Sequence, residues 1–166
     1  MAIKPLLRQL QKLMNRPVAI EPLAGFRILL GAAMVFSTLR FMANRWVANH
    51  FIDTQVFFNY PGFAWVQPLP APYMYFLHGV LVLASLLVML GLLYRWAATL
   101  QFLLFSYFFL IDLTHYLNHY YFICLVCFWL IWVPANRRYS LDVRWRLAPF
   151  QEKIPLWALW LFRGQL

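Results

Sequence analysis

Residues Tyr73 to Tyr94 read YMYFLHGVLVLASLLVMLGLLY. These 22 residues, with only His78 and Ser85 as polar side chains, make about 33 Å of α-helix, enough to cross a hydrocarbon core roughly 30 Å thick. Arg95 follows directly and ends the stretch. In lipid every backbone N–H and C=O must be satisfied within the segment, so an unbroken apolar run of this length reads as a transmembrane helix. A β-barrel strand would alternate apolar and polar residues, and this run does not.

The rest of the chain has the same character. Of its 166 residues 64% are hydrophobic and 11% charged, against about 45–50% and 25% in a soluble domain. The mean hydropathy is +0.65. A water-soluble body of this size could not bury that much apolar surface. A soluble enzyme, a disordered tail, a coiled coil and a disulfide-built secreted domain are therefore excluded. The net charge of +9 does not point to nucleic acid, because the basic residues fall in short runs between apolar ones, as in membrane topology. Cys124 and Cys127 lie inside an apolar run and are read as packing residues.

Outward from the central run, Pro22 to Phe41 forms the first span, with Arg27 about a turn inside it. A charge at mid-helix costs about 2.5–3.5 kcal/mol on insertion scales, so Arg27 is expected to snorkel toward the interface. Ile3 to Arg16 reads as a basic amphipathic helix on an anionic leaflet: apolar residues recur at helical spacing, and Lys4, Arg8 and Lys12 step by four on another face. Met42 to Pro72 is a long aromatic connection, with a turn at Tyr60-Pro61-Gly62 and a rigid Pro68-Leu69-Pro70-Ala71-Pro72 piece. The third span starts near Trp96 and the fourth ends near Val133. A basic connection follows, and Leu156 to Leu166 begins a fifth apolar helix. Its 11 residues would rise only about 16 Å, which leads us to expect an incomplete unit.

The expected fold is all-α: a multi-pass transmembrane helical bundle of about four full spans plus the start of a fifth, with an N-terminal interfacial helix. Residues 1–21 form the basic interfacial segment and 22–166 the transmembrane domain. Ten of the fourteen basic residues fall on one side if the N-terminus is cytoplasmic, which sets that orientation. The protein is then an integral membrane protein with Asp112 to His119 on the extracytoplasmic side.

That segment carries the chemistry. Trp96 to Val133 is 38 residues, and two crossings need about 40, so Asp112, Thr114, His115, Asn118 and His119 must sit at or just below the edge of the hydrocarbon. Polar groups in that position are a functional hypothesis by default. If the segment is helical, positions 112, 115 and 119 share a face. A polar turn wetted by the interface is the plainer alternative. A metal site on His115 and His119, spaced i, i+4, is another, with no further ligand nearby because His50 and His78 lie elsewhere in sequence. Arg163, in the fifth apolar run, could pair with Asp112 or hold an anionic substrate group. Asp142 and Arg137 are expected to stabilise the basic connection.

Several stretches, in order, resemble the N-terminal membrane part of the vitamin K-dependent gamma-glutamyl carboxylases and their bacterial relatives, the HTTM domain. They are Phe26-Arg27 with Gly31; Pro68-Leu69-Pro70 with Tyr73-Met74-Tyr75; Met89-Leu90-Gly91-Leu92 with Tyr94-Arg95; Asp112 with Thr114, Asn118-His119 and Tyr121; Ala135-Asn136-Arg137; Ser140-Leu141-Asp142; Pro155-Leu156-Trp157; and Arg163-Gly164-Gln165. The resemblance covers roughly residues 22 to 166. It implies a carbon–carbon lyase in which vitamin K hydroquinone, or a related quinol, reacts with O2 to give a strong base. That base takes a γ-proton from glutamate, the carbanion captures CO2, and the quinone leaves as an epoxide. No side chain could supply such a base near neutral pH.

By resemblance Asn118 and His119 are the active-site pair. The family's initiating lysine lies beyond the Arg-Gly-Gln run, and the lysines present here are Lys4, Lys12 and Lys153, so this chain alone is expected to be inactive. The implied partners are membrane lipid, a glutamate-containing protein or peptide, and a C-terminal half or partner chain; no metal and no nucleic acid are expected. The alternative reading is a non-catalytic lipid- or quinone-binding membrane subunit acting through a partner.

Overall fold

The computed structural model describes residues 11–165, the side chain of His115 excepted. The interfacial helix expected over Ile3–Arg16 therefore lies mostly outside the described residues, of which Gln11 to Met14 are helical. The described chain is mostly helical. Helix α1 spans Glu21–Ala43, α2 Ala71–Leu90, α3 Tyr94–Ile111 and α4 Asn118–Trp132; the short α5 (Leu141–Arg144) and α6 (Trp157–Arg163) follow. Neighbours in sequence are neighbours in space: α1 packs on α2, α2 on α3, α3 on α4, and α6 returns to α4.

The helices α1 and α2 are long and apolar enough to cross a membrane. They support two of the four full spans expected. Helix α4, with 15 residues, rises only about 22 Å, and α3 carries Arg95, Gln101 and Ser106 along its 18 residues. The six residues between α3 and α4 shorten both. The fifth run is helical over seven residues.

The all-α expectation is corrected in one place. Strand β1 (Pro17–Ala19) pairs antiparallel with β2 (Lys153–Pro155), Val18 opposite Ile154. The Ile20 amide donates to the Glu152 carbonyl at 3.1 Å, and the Leu156 amide to the Arg16 carbonyl at 2.9 Å. The segment before α1 is thereby stitched to the entry of α6. Periodicity could not reveal this pair: each strand is three residues long, and the pairing joins positions more than a hundred residues apart.

The central run also ends earlier than its hydropathy indicates. Gly91 takes a left-handed conformation at φ 65° and closes α2, its amide and that of Leu92 returning to Val88 and Leu87. Leu93, also left-handed, starts α3 at once, so Tyr94 belongs to the next helix. A three-residue connection forces α3 to fold back along α2. A carboxylate from far along the chain holds the corner. Asp142 accepts from the Leu93 and Tyr94 amides at 2.8 and 3.2 Å and from the Asn136 side chain at 2.7 Å. It thus satisfies amides at the start of α3, where a negative charge also complements the helix dipole.

Arg27 does not snorkel. It is fully buried, and its guanidinium donates to four backbone carbonyls: Ala135 at 3.1 Å, Val88 and Met89 at 2.6 Å each, and Tyr139 at 2.7 Å. Two of these end α2, where carbonyls lack the usual amide four residues on and carry partial negative charge. A planar group with five donors can gather them into one point. Arg27, Gly91, Asp142 and Tyr94, whose hydroxyl donates to the Leu130 carbonyl at 2.6 Å, lock one end of the bundle. Beside them lies the larger apolar core, which includes Ile20, Leu23, Val88, Ala97, Leu130 and Ile154.

Candidate functional site

The other end of the bundle is open. Past α1 the chain makes a π-helical turn (Ala48–Ile52) and returns to α2 through an extended stretch. That stretch docks on the turn after α3. The Leu113 amide donates to the Phe58 carbonyl at 2.7 Å, and the Asn59 side chain donates to the Val66 and Ile111 carbonyls at 3.0 and 3.4 Å. A smaller apolar cluster of Val47, Val66, Met74 and Ile111 holds it there. Burial pushes the Tyr60 phenol in this stretch above its ordinary pKa, and Tyr116, Cys124 and Asp112 act in the same direction.

Between these elements lies a cavity of about 300 Å³. Helix α1 contributes Ser37, Thr38 and Phe41; the π-helical turn His50 and Phe51; α2 His78 and Leu81; and α3 Phe105, Phe108 and Phe109. Asp112, Thr114, Tyr116, Leu117 and Tyr120 close it. The walls are thus chiefly aromatic, with a few polar groups, as small-molecule sites usually are.

The polar segment is not a continuous helix. Asp112 is extended, Leu113–His115 forms a single 3-10 turn, and Tyr116 and Leu117 are extended again before α4 begins. The helical face expected for positions 112, 115 and 119 does not form. Asp112 is buried because its carboxylate caps the turn, accepting from the Thr114 amide at 2.9 Å and the Phe58 amide at 3.3 Å. Thr114 is exposed along the same turn, with the His115 backbone next to it. Asn118 and His119 are exposed in the first turn of α4. They do not line the cavity, although Leu117 and Tyr120 on either side do; the His119 ring meets Tyr120 edge-on at 4.6 Å.

Arg163 is not part of this group. It is exposed at the end of α6, and the preceding Phe162 packs on Phe26 at 5.1 Å, in the core at the locked end. Among the described residues, no three His, Cys, Asp or Glu side chains gather closely enough to hold a metal ion. Cys124 and Cys127 are free and buried.

The sequence reading set His50 and His78 apart from the site, and the fold corrects this. Both line the cavity with Asp112. His78 is the one ionisable group inside the central apolar run besides its tyrosines, and an intramembrane ionisable residue is a signal in itself. For His50 no such signal exists: the π-helical turn alone carries it back over the cavity. Each ring donates Nδ1–H to the carbonyl four residues before it, His50 to Trp46 at 2.9 Å and His78 to Met74 at 2.8 Å. The His78 ring stacks with Phe108, 4.0 Å away, and lies parallel to Phe41, 5.7 Å away.

No solved structure matches the chain. The HTTM domain family matches it over residues 15–166, a stretch that takes in the Arg27 lock, the cavity and the Asp112–His119 turn. The chain therefore belongs to the HTTM domain family, which is associated with the vitamin K-dependent carboxylases.

Proposed function

We propose that the chain is the quinol-binding membrane part of a carboxylase of the vitamin K-dependent kind, with the aromatic cavity as the ring site. The observation that carries this reading is the cavity itself. Its volume of about 300 Å³ falls at the small end of the roughly 300–1,000 Å³ typical of small-molecule sites. Flat aromatic walls from Phe41, Phe51, Phe105, Phe108 and Phe109 suit stacking on a fused ring, and they exclude water from it.

The bound quinol, with O2, supplies a base stronger than any side chain, able to remove a carbon-bound proton so that CO2 can add. The chain's own residues do the rest. The phenylalanines hold the ring. Asp112 fixes the turn from which α4 starts. That start presents Asn118 and His119 outward, where a glutamate-containing protein or peptide arrives from the water; there the Asn118 amide holds a polar group of the substrate and the His119 imidazole carries a proton. The basic residues Arg16, Arg95, Arg137, Arg138, Arg144, Arg146 and Lys153 belong to the opposite, locked end, which favours a cytoplasmic N-terminus and an extracytoplasmic cavity mouth.

A photoactivatable naphthoquinone applied to the chain in lipid nanodiscs tests the reading. Labelled peptides are expected from α1 between 37 and 41, from 78 to 81 and from 105 to 120, with competition by unlabelled quinone. Labelling confined to other surfaces sinks the proposal.

A second reading, a non-catalytic quinone- or lipid-binding subunit working with a partner chain, draws on the exposure of Asn118 and His119 outside the cavity lining. It predicts the same labelling. It differs in that no epoxide forms when reduced quinone, O2, CO2 and a glutamate peptide are supplied to the intact protein, lysine-bearing part included.

A further inference from the structure

The cavity's polar groups are not equivalent. The Asp112 carboxylate is committed to the Thr114 and Phe58 amides. His78 is arranged differently. Its Nδ1 faces a carbonyl oxygen, which can only accept, so Nδ1 carries the hydrogen. In the neutral ring Nε2 is then an acceptor with a lone pair in the ring plane. Phe108 and Phe41 stack against the ring and the residue lines the cavity, so Nε2 is the ring nitrogen left for a ligand there. Among the described residues no group bonds Nε2. The site therefore contains a held, oriented acceptor that lacks a donor, in a wall that is chiefly aromatic.

We propose that His78 reads the oxidation state of the ring in the cavity. This rests on the cavity being a quinone site, as argued above. The His78 Nε2 accepts a hydrogen bond from the hydroxyl of a reduced, quinol-type ring. The oxidised ring offers only carbonyl oxygens, which are acceptors, and two acceptors facing each other at a buried site repel. The reduced ligand is bound in preference, and the oxidised form is released. The preference arises from the tautomer fixed by Met74, from the stack that prevents the ring from turning, and from the absence of any protein donor at Nε2.

The test is equilibrium binding to the full chain in nanodiscs under anaerobic conditions. The probe is 2,3-dimethyl-1,4-naphthoquinone, whose blocked ring carbons take no thiol, compared with its dithionite-reduced hydroquinone. The wild-type chain is expected to favour the reduced form by about fivefold, the worth of one neutral hydrogen bond. His78→Phe keeps an aromatic ring against Phe41 and Phe108 and removes both nitrogens. His78→Leu removes them without the ring. In whichever of these folds, the preference disappears while affinity for the oxidised probe stays within about twofold, less than one such bond is worth. A preference that survives either variant overturns the proposal. So does an equal loss for both probes, which would make His78 a wall residue only, or a wild-type chain that binds both probes equally. These three outcomes leave the quinone site standing, whereas a wild-type chain that binds neither probe removes the site itself.

Discussion

Gly31 on α1 lies against the backbone of Met89 on α2: a methyl group at position 31 would stand 2.7 Å from the Met89 Cα. The two longest apolar helices meet there at backbone distance, and only the missing side chain permits it. Gly31→Ala must therefore push the helices apart or bend them, and overpacking of this kind costs about 1–3 kcal/mol. Gly25 and Gly79 lie in the same two helices with open space around the Cβ position. Alanine there gains about 1 kcal/mol of helix propensity. Thermal unfolding in detergent should rank Gly31→Ala below wild type, and Gly25→Ala and Gly79→Ala at or above it. Equal melting of Gly31→Ala and wild type would contradict the packing described.

The four carbonyls around Arg27 predict what its replacement does. Arg27→Met fits the space and leaves those acceptors buried, at about 1–3 kcal/mol for each that finds no other donor. Arg27→Lys keeps the charge, but one ammonium cannot reach the end of α2, Ala135 and Tyr139 together. Both variants should express poorly and melt well below wild type, with lysine recovering less than half of the loss. Lysine acting as a full substitute would mean that charge alone, rather than the fork of donors, matters.

The contrast between Arg27 and His78 explains how far the fold and the site were legible in the sequence. Hydropathy located α1 and α2 to within a few residues, because burial in lipid demands an unbroken apolar run whatever the tertiary partners. It could not show whether a charge within the run snorkels or turns inward. That depends on carbonyls at positions 88, 89, 135 and 139, which only the fold brings together. The turn at Asp112 was recognised as special from its polarity, yet its backbone was read as a helix face. The competing use of Asp112 as a cap for Thr114 leaves no trace in spacing. The cavity was invisible for the same reason: its walls come from four separate stretches, and the phenylalanines among them look like ordinary lipid-facing residues.

Asp142 offers a smaller test of the locked end. Asparagine at this position keeps the size but turns one accepting oxygen into a donor, facing either the Leu93 or Tyr94 amide or the Asn136 amide group. Alanine in place of a capping side chain costs about 0.5–2 kcal/mol, and the asparagine variant, which keeps one accepting oxygen, should fall within that range. The corner between α2 and α3 should loosen, and hydrogen exchange should speed up at Leu93 and Tyr94 before it does in the centre of α3. Unchanged exchange at those amides would show that the corner holds without the carboxylate.

His119 separates chemistry from architecture. It is exposed at the start of α4, so His119→Ala removes no buried packing, and its yield and melting temperature should match wild type. Under the carboxylase reading the imidazole carries a proton at the mouth of the site. Removing such a group costs about 10²–10⁴-fold in rate, so quinone epoxidation by the intact protein should fall by that order while naphthoquinone labelling of the cavity stays unchanged. His119→Gln, which can hydrogen-bond but does not exchange a proton near neutral pH, should be as slow as alanine. If glutamine restored the rate, His119 would serve to orient the substrate. If alanine left epoxidation untouched, His119 would be an interfacial residue, and the search for the proton carrier would move to His50 at the cavity wall.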